Sequence, residues 1–151
     1  MGYNQAMKLI DKQKRQIRDY FRSRPEVAAV YVYGSQVSGR AGPLSDVDLG
    51  VLLKKQVRQD ESGDLQLEYI GAVQDIIKID LAADVKLLNQ DDSLAYLAEV
   101  LGKGELLVVN DKAGQEEFAH RVAMLYPDFY PVLQQYYAVM EQRIMEGTYA
   151  A

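Results

Sequence analysis

Hydrophobic positions along the chain fall into two rhythms. Val27 to Tyr33 (VAAVYVY) is a nearly continuous apolar run rich in valine and tyrosine, the pattern of a strand covered on both faces. A second apolar strand opens at Asp46-Val47-Asp48-Leu49 and ends near Leu53. Gly39, Gly42 and Pro43 turn the chain between them, so the two are expected to be antiparallel neighbours. Asp84 to Leu88 predicts a third strand and Leu106 to Val109 a fourth.

Helical spacing fills the intervals. Met7, Ile10, Ile17, Tyr20 and Phe21 predict an amphipathic helix from about residue 4 to 23, ended by Pro25. Lys54 to Gly63 is polar and predicts a loop, and Tyr69, Ile70, Val73, Ile76 and Ile77 predict a helix from Leu65 to about Ile79. Asp91-Asp92-Ser93 caps a helix bearing Leu94, Leu97, Ala98, Val100 and Leu101, which ends at Gly102 and Gly104. From Ala113 a helical pattern carries Phe118, Val122 and Leu125, breaks at Pro127, and resumes with Leu133, Tyr136, Tyr137, Met140 and Ile144. The alternation predicts an α/β (α+β) sandwich with a mixed sheet of about four strands flanked by helices over residues 1–112. Residues 113–151 follow as a C-terminal helical extension, whose removal is expected to leave a folded protein. Its aromatic stripe reads either as core or as a surface that holds a partner.

Composition narrows the classes. The 151 residues, 48% apolar, support one globular domain with a helical appendage. There is no cysteine, which excludes disulfides and thiolate metal sites. The first residues lack the apolar core of a signal peptide, and no apolar run approaches the roughly 20 residues of a membrane span, so a cytoplasmic protein without a membrane is expected. A net charge of −5 and a pI near 4.9 argue against stable nucleic-acid binding. The first helix is nevertheless basic on one face, through Lys8, Lys12, Lys14, Arg15, Arg18, Arg22 and Arg24. That face is either solvated or a dock for an acidic partner or nucleotide phosphates. His120, the single histidine, reads as a surface or packing residue.

The chemistry concentrates between the first two strands. A buried strand running into Gly34-Ser35 offers free backbone N–H groups and a capping hydroxyl to an anion such as phosphate. Asp46 and Asp48 share one face of the next strand, about 6 to 7 Å apart along the chain. Two carboxylates that close repel unless a cation lies between them. A hard divalent ion suits oxygen ligands, and Mg²⁺ favours one or two carboxylates together with substrate phosphates. Each half of the pattern is weak alone; together they suggest phosphoryl or nucleotidyl transfer.

The pattern GSxxxGxxxxxSDxD, carried by Gly34, Ser35, Gly39, Ser45, Asp46 and Asp48, resembles the signature of the DNA polymerase β nucleotidyltransferase superfamily. At this length the chain most resembles the minimal nucleotidyltransferases, or MNT proteins. The resemblance implies a polymerase β-like fold and a Mg²⁺-dependent enzyme that uses ATP. It implies an antitoxin role beside a HEPN-domain toxin, by transfer of AMP onto a toxin tyrosine. Asp46 and Asp48 are then catalytic metal ligands, and Gly34, Ser35, Ser45 and Arg40 bind the nucleotide. The family's third carboxylate best matches Asp84, with Asp80 as the fallback. Lys86 stands where the family usually has an apolar or acidic residue, and Ser38 where it often has arginine. Two other functions compete: transfer to a small-molecule hydroxyl, and a non-catalytic antitoxin that neutralises by binding. Either homo- or hetero-oligomers are compatible with this reading.

Overall fold

The computed structural model describes residues 11–33, 46–78, 82–90, 93–127 and 130–146. Its spine is strand β1 (Val27–Tyr33), buried at every position from Val27 to Val32, as its lack of polar residues requires. β1 pairs antiparallel with β2 (Asp46–Leu53) on one side and with β4 (Glu105–Val109) on the other. β2 pairs in parallel with β3 (Ala82–Leu87), so the sheet is mixed, in the order β3-β2-β1-β4. A parallel pair needs a crossover, supplied here by helix α2 (Ser62–Ile77). The other helices described are α1 (Asp11–Arg22), α3 (Leu94–Lys103), α4 (Lys112–Leu125) and α5 (Tyr130–Met145).

Each face of the sheet has its own core. On the first, Val30, Val32, Val47, Leu49, Val51, Val85 and Leu87 lie beneath Ile17 and Phe21 of α1 and Tyr69, Val73 and Ile77 of α2. On the second, Ala29, Tyr31 and Leu52 pack against α3 through Leu97, Val100 and Leu101, and against α4 through Phe118 and Val122. Gln115 is buried in this layer and donates to the Tyr31 hydroxyl at 2.7 Å.

Several boundaries differ from the sequence expectation. The described part of the first helix begins at Asp11; residues 4–10 lie outside the described residues. α2 begins at Ser62 because a 3₁₀ turn, Gln59–Glu61, winds into it from a stretch expected to be loop. Polar side chains hold that turn: Glu61 accepts from the Arg58 N–H at 3.3 Å. β3 starts at Ala82 rather than Asp84, recruited by its register with Asp46. Ser93 caps α3, accepting from the Tyr96 N–H at 3.2 Å, whereas Asp91 and Asp92 lie outside the described residues. The C-cap is Gly104 alone, and Gly102 is helical; a Cβ at Gly104 would come within 2.4 Å of the Val100 carbonyl oxygen.

The C-terminal helices pack against the sheet. Phe118, Ala119, Val122 and Ala123 of α4 and Met140 of α5 are buried in the second core. Together with α3 they cover the sheet's second face, so these helices share its core. Pro131 stands at the start of the last helix. It is the second residue of α5, in the first turn, where proline is tolerated. His120 is exposed, its ring 5.9 Å from that of Tyr137.

Candidate active site

Alternation along β2 sends Val47, Leu49 and Val51 into the first core and Asp48 to the opposite face. Directly across the antiparallel pair stands Tyr33, and directly across the parallel pair stands Asp84. Tyr33, Asp48 and Asp84 thus form a row over three adjacent strands, each partly buried, with neighbouring backbones about 4.7 to 4.9 Å apart. Asp46 belongs to the same face one alternation earlier and is in register with Ala82; its side chain lies outside the description. Gly34, Ser35, Arg40 and Ser45 lie outside the described residues, as does Asp80, although Gly34 and Ser35 follow Tyr33 directly in the chain.

Side chains of α2 fix β3, and with it Asp84, beside β2. Gln74 accepts from the Ala83 N–H at 3.0 Å and donates to the Lys78 carbonyl at 2.5 Å, spanning the turn between α2 and β3. Lys78 there has φ 64°, a left-handed conformation unusual for a residue with a side chain. Gln66 donates to the Val85 carbonyl at 2.8 Å, satisfying an acceptor of this edge strand. Past the strand ends, the Asn89 amide accepts from the Leu53 N–H at 2.7 Å and donates to the Leu53 carbonyl at 2.9 Å.

Three residues that sequence reasoning assigned no role complete this end of the sheet. Tyr33 and Tyr96, in the first turn of α3, share a hydrogen bond between their hydroxyls, with the rings edge to face at 5.9 Å between centroids. The Lys86 ammonium lies 5.2 Å from the centre of the Tyr96 ring. Burial pushes the Tyr33 phenol well above its usual range, reinforced by the bond to Tyr96 and by the nearby Asp48 and Asp84 carboxylates. Tyr33 therefore keeps its proton. Its place opposite Asp48 could have been read from the hairpin register; nothing in the sequence marks Tyr96.

Asp48 and Asp84 offer oxygen donors side by side, a set that fits a hard cation such as Mg²⁺. Among the described residues, which do not include the Asp46 side chain, no three potential ligands come together.

Among proteins of curated function none matches the chain. Solved structures of similar shape do exist. A chain of the toxin–antitoxin MntA-HpeT, in a mutant form, is 18% identical with TM-score 0.59, the match covering 88% of this chain and 98% of that one. A toxin–antitoxin structure with AMP-PNP is 20% identical with TM-score 0.58, covering 90% and 99%. A protein from Shewanella oneidensis is 17% identical with TM-score 0.54, covering 91% and 99%. At such identities the likeness establishes the fold, a mixed four-stranded sheet flanked by helices. The family model for polymerase beta nucleotidyltransferases matches residues 15–113, a span that holds the strand pair, Asp46, Asp48 and Asp84, and the chain belongs to that family.

Proposed function

We propose that this protein is a Mg²⁺-dependent nucleotidyltransferase that transfers AMP from ATP to a tyrosine of a HEPN-domain toxin, and is thereby the antitoxin of the pair. The observation that carries the reading is the register of Asp48 with Asp84, beside Asp46 two residues earlier on β2. Two of the similar structures are toxin–antitoxin structures, one of them with AMP-PNP, which supports both the partner and the nucleotide.

In this reading Gly34 and Ser35 cradle the triphosphate, with Ser45 and Arg40 as further contacts. Asp46, Asp48 and Asp84 are the residues that would hold Mg²⁺. When bound, the ion neutralises charge on the leaving pyrophosphate and acidifies the acceptor hydroxyl. Asp84 takes the acceptor proton, the acceptor oxygen bonds to the α-phosphorus, and pyrophosphate departs in line. The acceptor is taken to be a partner protein because similar structures are toxin–antitoxin structures.

The test is incubation with labelled ATP, Mg²⁺ and the product of the neighbouring gene, followed by mass analysis of both chains. Added AMP on a partner tyrosine is expected. A tight complex with both masses unchanged would instead make the protein a non-catalytic antitoxin, and adenylation of a small alcohol without any partner would make it a small-molecule enzyme.

A further inference from the structure

Lys86 follows Asp84 by two residues on β3 and shares its face, since Val85 and Leu87 on either side are buried in the first core. The side chain is exposed, so its ammonium is open to a substrate. It is also placed: the ammonium rests 5.2 Å from the centre of the Tyr96 ring, and Tyr96 is tied through its hydroxyl to Tyr33, which stands opposite Asp48. Gly50, in register with Lys86 on β2, has no side chain, and the side chain of Leu88 covers it.

The strand order gives the two flanks different tasks. Gly34 and Ser35, the proposed phosphate cradle, follow β1 in the sequence, while Asp84 and Lys86 belong to β3 on the far side of β2. A nucleotide whose phosphates lie toward β1 leaves the β3 flank for the attacking hydroxyl. We propose that Lys86, braced on Tyr96, is the acceptor-side cation of the transfer. The inference rests on the proposed nucleotidyl transfer. The acceptor's proton passes to the Asp84 carboxylate, the oxygen that becomes negative faces the Lys86 ammonium as it bonds to the α-phosphorus, and the bond to pyrophosphate breaks with its electron pair.

The test uses Lys86→Met and Lys86→Arg in the full chain, both expected to fold because the side chain is exposed. Calorimetry with Mg²⁺ and α,β-methylene-ATP measures the nucleotide flank. An NMR titration of N-acetyltyrosinamide onto that complex measures the acceptor flank, and AMP transfer reports catalysis. Lys86→Met should bind the nucleotide as the natural protein does, bind the tyrosinamide about tenfold more weakly, and transfer AMP about a hundredfold more slowly. Lys86→Arg should recover part of both losses. A parallel loss of nucleotide affinity would make Lys86 a phosphate contact and overturn the proposal, as would a Lys86→Met protein indistinguishable from the natural one. If the natural protein itself binds no nucleotide, the nucleotidyl-transfer reading fails first; if it binds and transfers normally while Lys86→Met is indifferent, only the role of Lys86 fails.

Discussion

The two faces of the sheet are made by the same strands yet have opposite characters. Along β2 the first face receives Val47, Leu49, Val51 and Leu53, all buried. The second receives Asp48, Gly50 and Leu52, passing from a carboxylate at one end to apolar core at the other. A period of two lets one strand serve both without interruption, so the charges displace no side chain of the first core. Stability and chemistry should therefore be separable by single substitutions one residue apart.

The largest effect is expected where the second face loses its cover. Deleting residues 114–151 removes Phe118, Ala119, Val122, Ala123 and Met140 together. Truncations of single large core residues cost about 2 to 5 kcal/mol, against about 5 to 15 kcal/mol for a whole domain. The shortened chain should show no cooperative unfolding by circular dichroism. A folded truncated protein would mean that the second face stands without α4 and α5.

Neighbouring residues on β2 give the sharpest contrast. Leu49→Ala, on the buried face, should lower stability by about 2 to 5 kcal/mol in urea titrations. Asp48→Asn should leave the urea midpoint nearly unmoved and lower AMP transfer about a thousandfold, since a lost metal ligand forfeits several kcal/mol at the transition state. Equal stability losses in the two variants would break the division between faces.

Smaller effects test how the first layer is tied together. Gln74→Ala should cost about 1 kcal/mol of stability but lower transfer disproportionately, because Gln74 pins the strand that bears Asp84; a loss of activity no larger than the loss of stability would deny it a positioning role. Glu26 accepts from the Tyr69 hydroxyl at 2.6 Å and from Arg24 Nε at 2.9 Å. Burial alone would raise its pKa, but these bonds and its own backbone N–H hold it below the ordinary 4.5. A carboxyl depressed on folding stabilises above its unfolded pKa, and the contribution fades as pH falls through the folded value. Glu26→Gln should thus destabilise by about 1 kcal/mol near neutrality, with the gap closing in acid. A pH-independent gap would exclude the ionic contribution.

What the sequence reveals follows the same division. β1 and β2 were legible because an unbroken apolar run and a strict alternation each admit one local structure. The stripe of Phe118 and Val122 was legible as a helix face, but a stripe does not say which body it packs on, and here that body is the sheet. Ser62 was hidden inside a polar stretch whose helicity depends on side-chain bonds to the backbone. Asp84 was identifiable by context, whereas its seat beside Asp48 is a register, set by Gln66, Gln74 and the parallel pairing. Tyr96 carries no local signal because its role arises only when α3 is laid across the sheet.

The central claim, that the second face of β2 and β3 holds a metal for nucleotide chemistry, is tested most directly by thermal unfolding of the natural protein and Asp48→Asn, with Mg²⁺ or with chelator, at increasing ATP. With Mg²⁺ and ATP at about 100 times its dissociation constant, the natural protein should gain about 2.7 kcal/mol, a rise in Tm of roughly 5 to 10 °C. In chelator that gain should largely vanish, and Asp48→Asn should show little of it in either condition. Equal gains with and without Mg²⁺, or equal gains in the two proteins, would contradict the account.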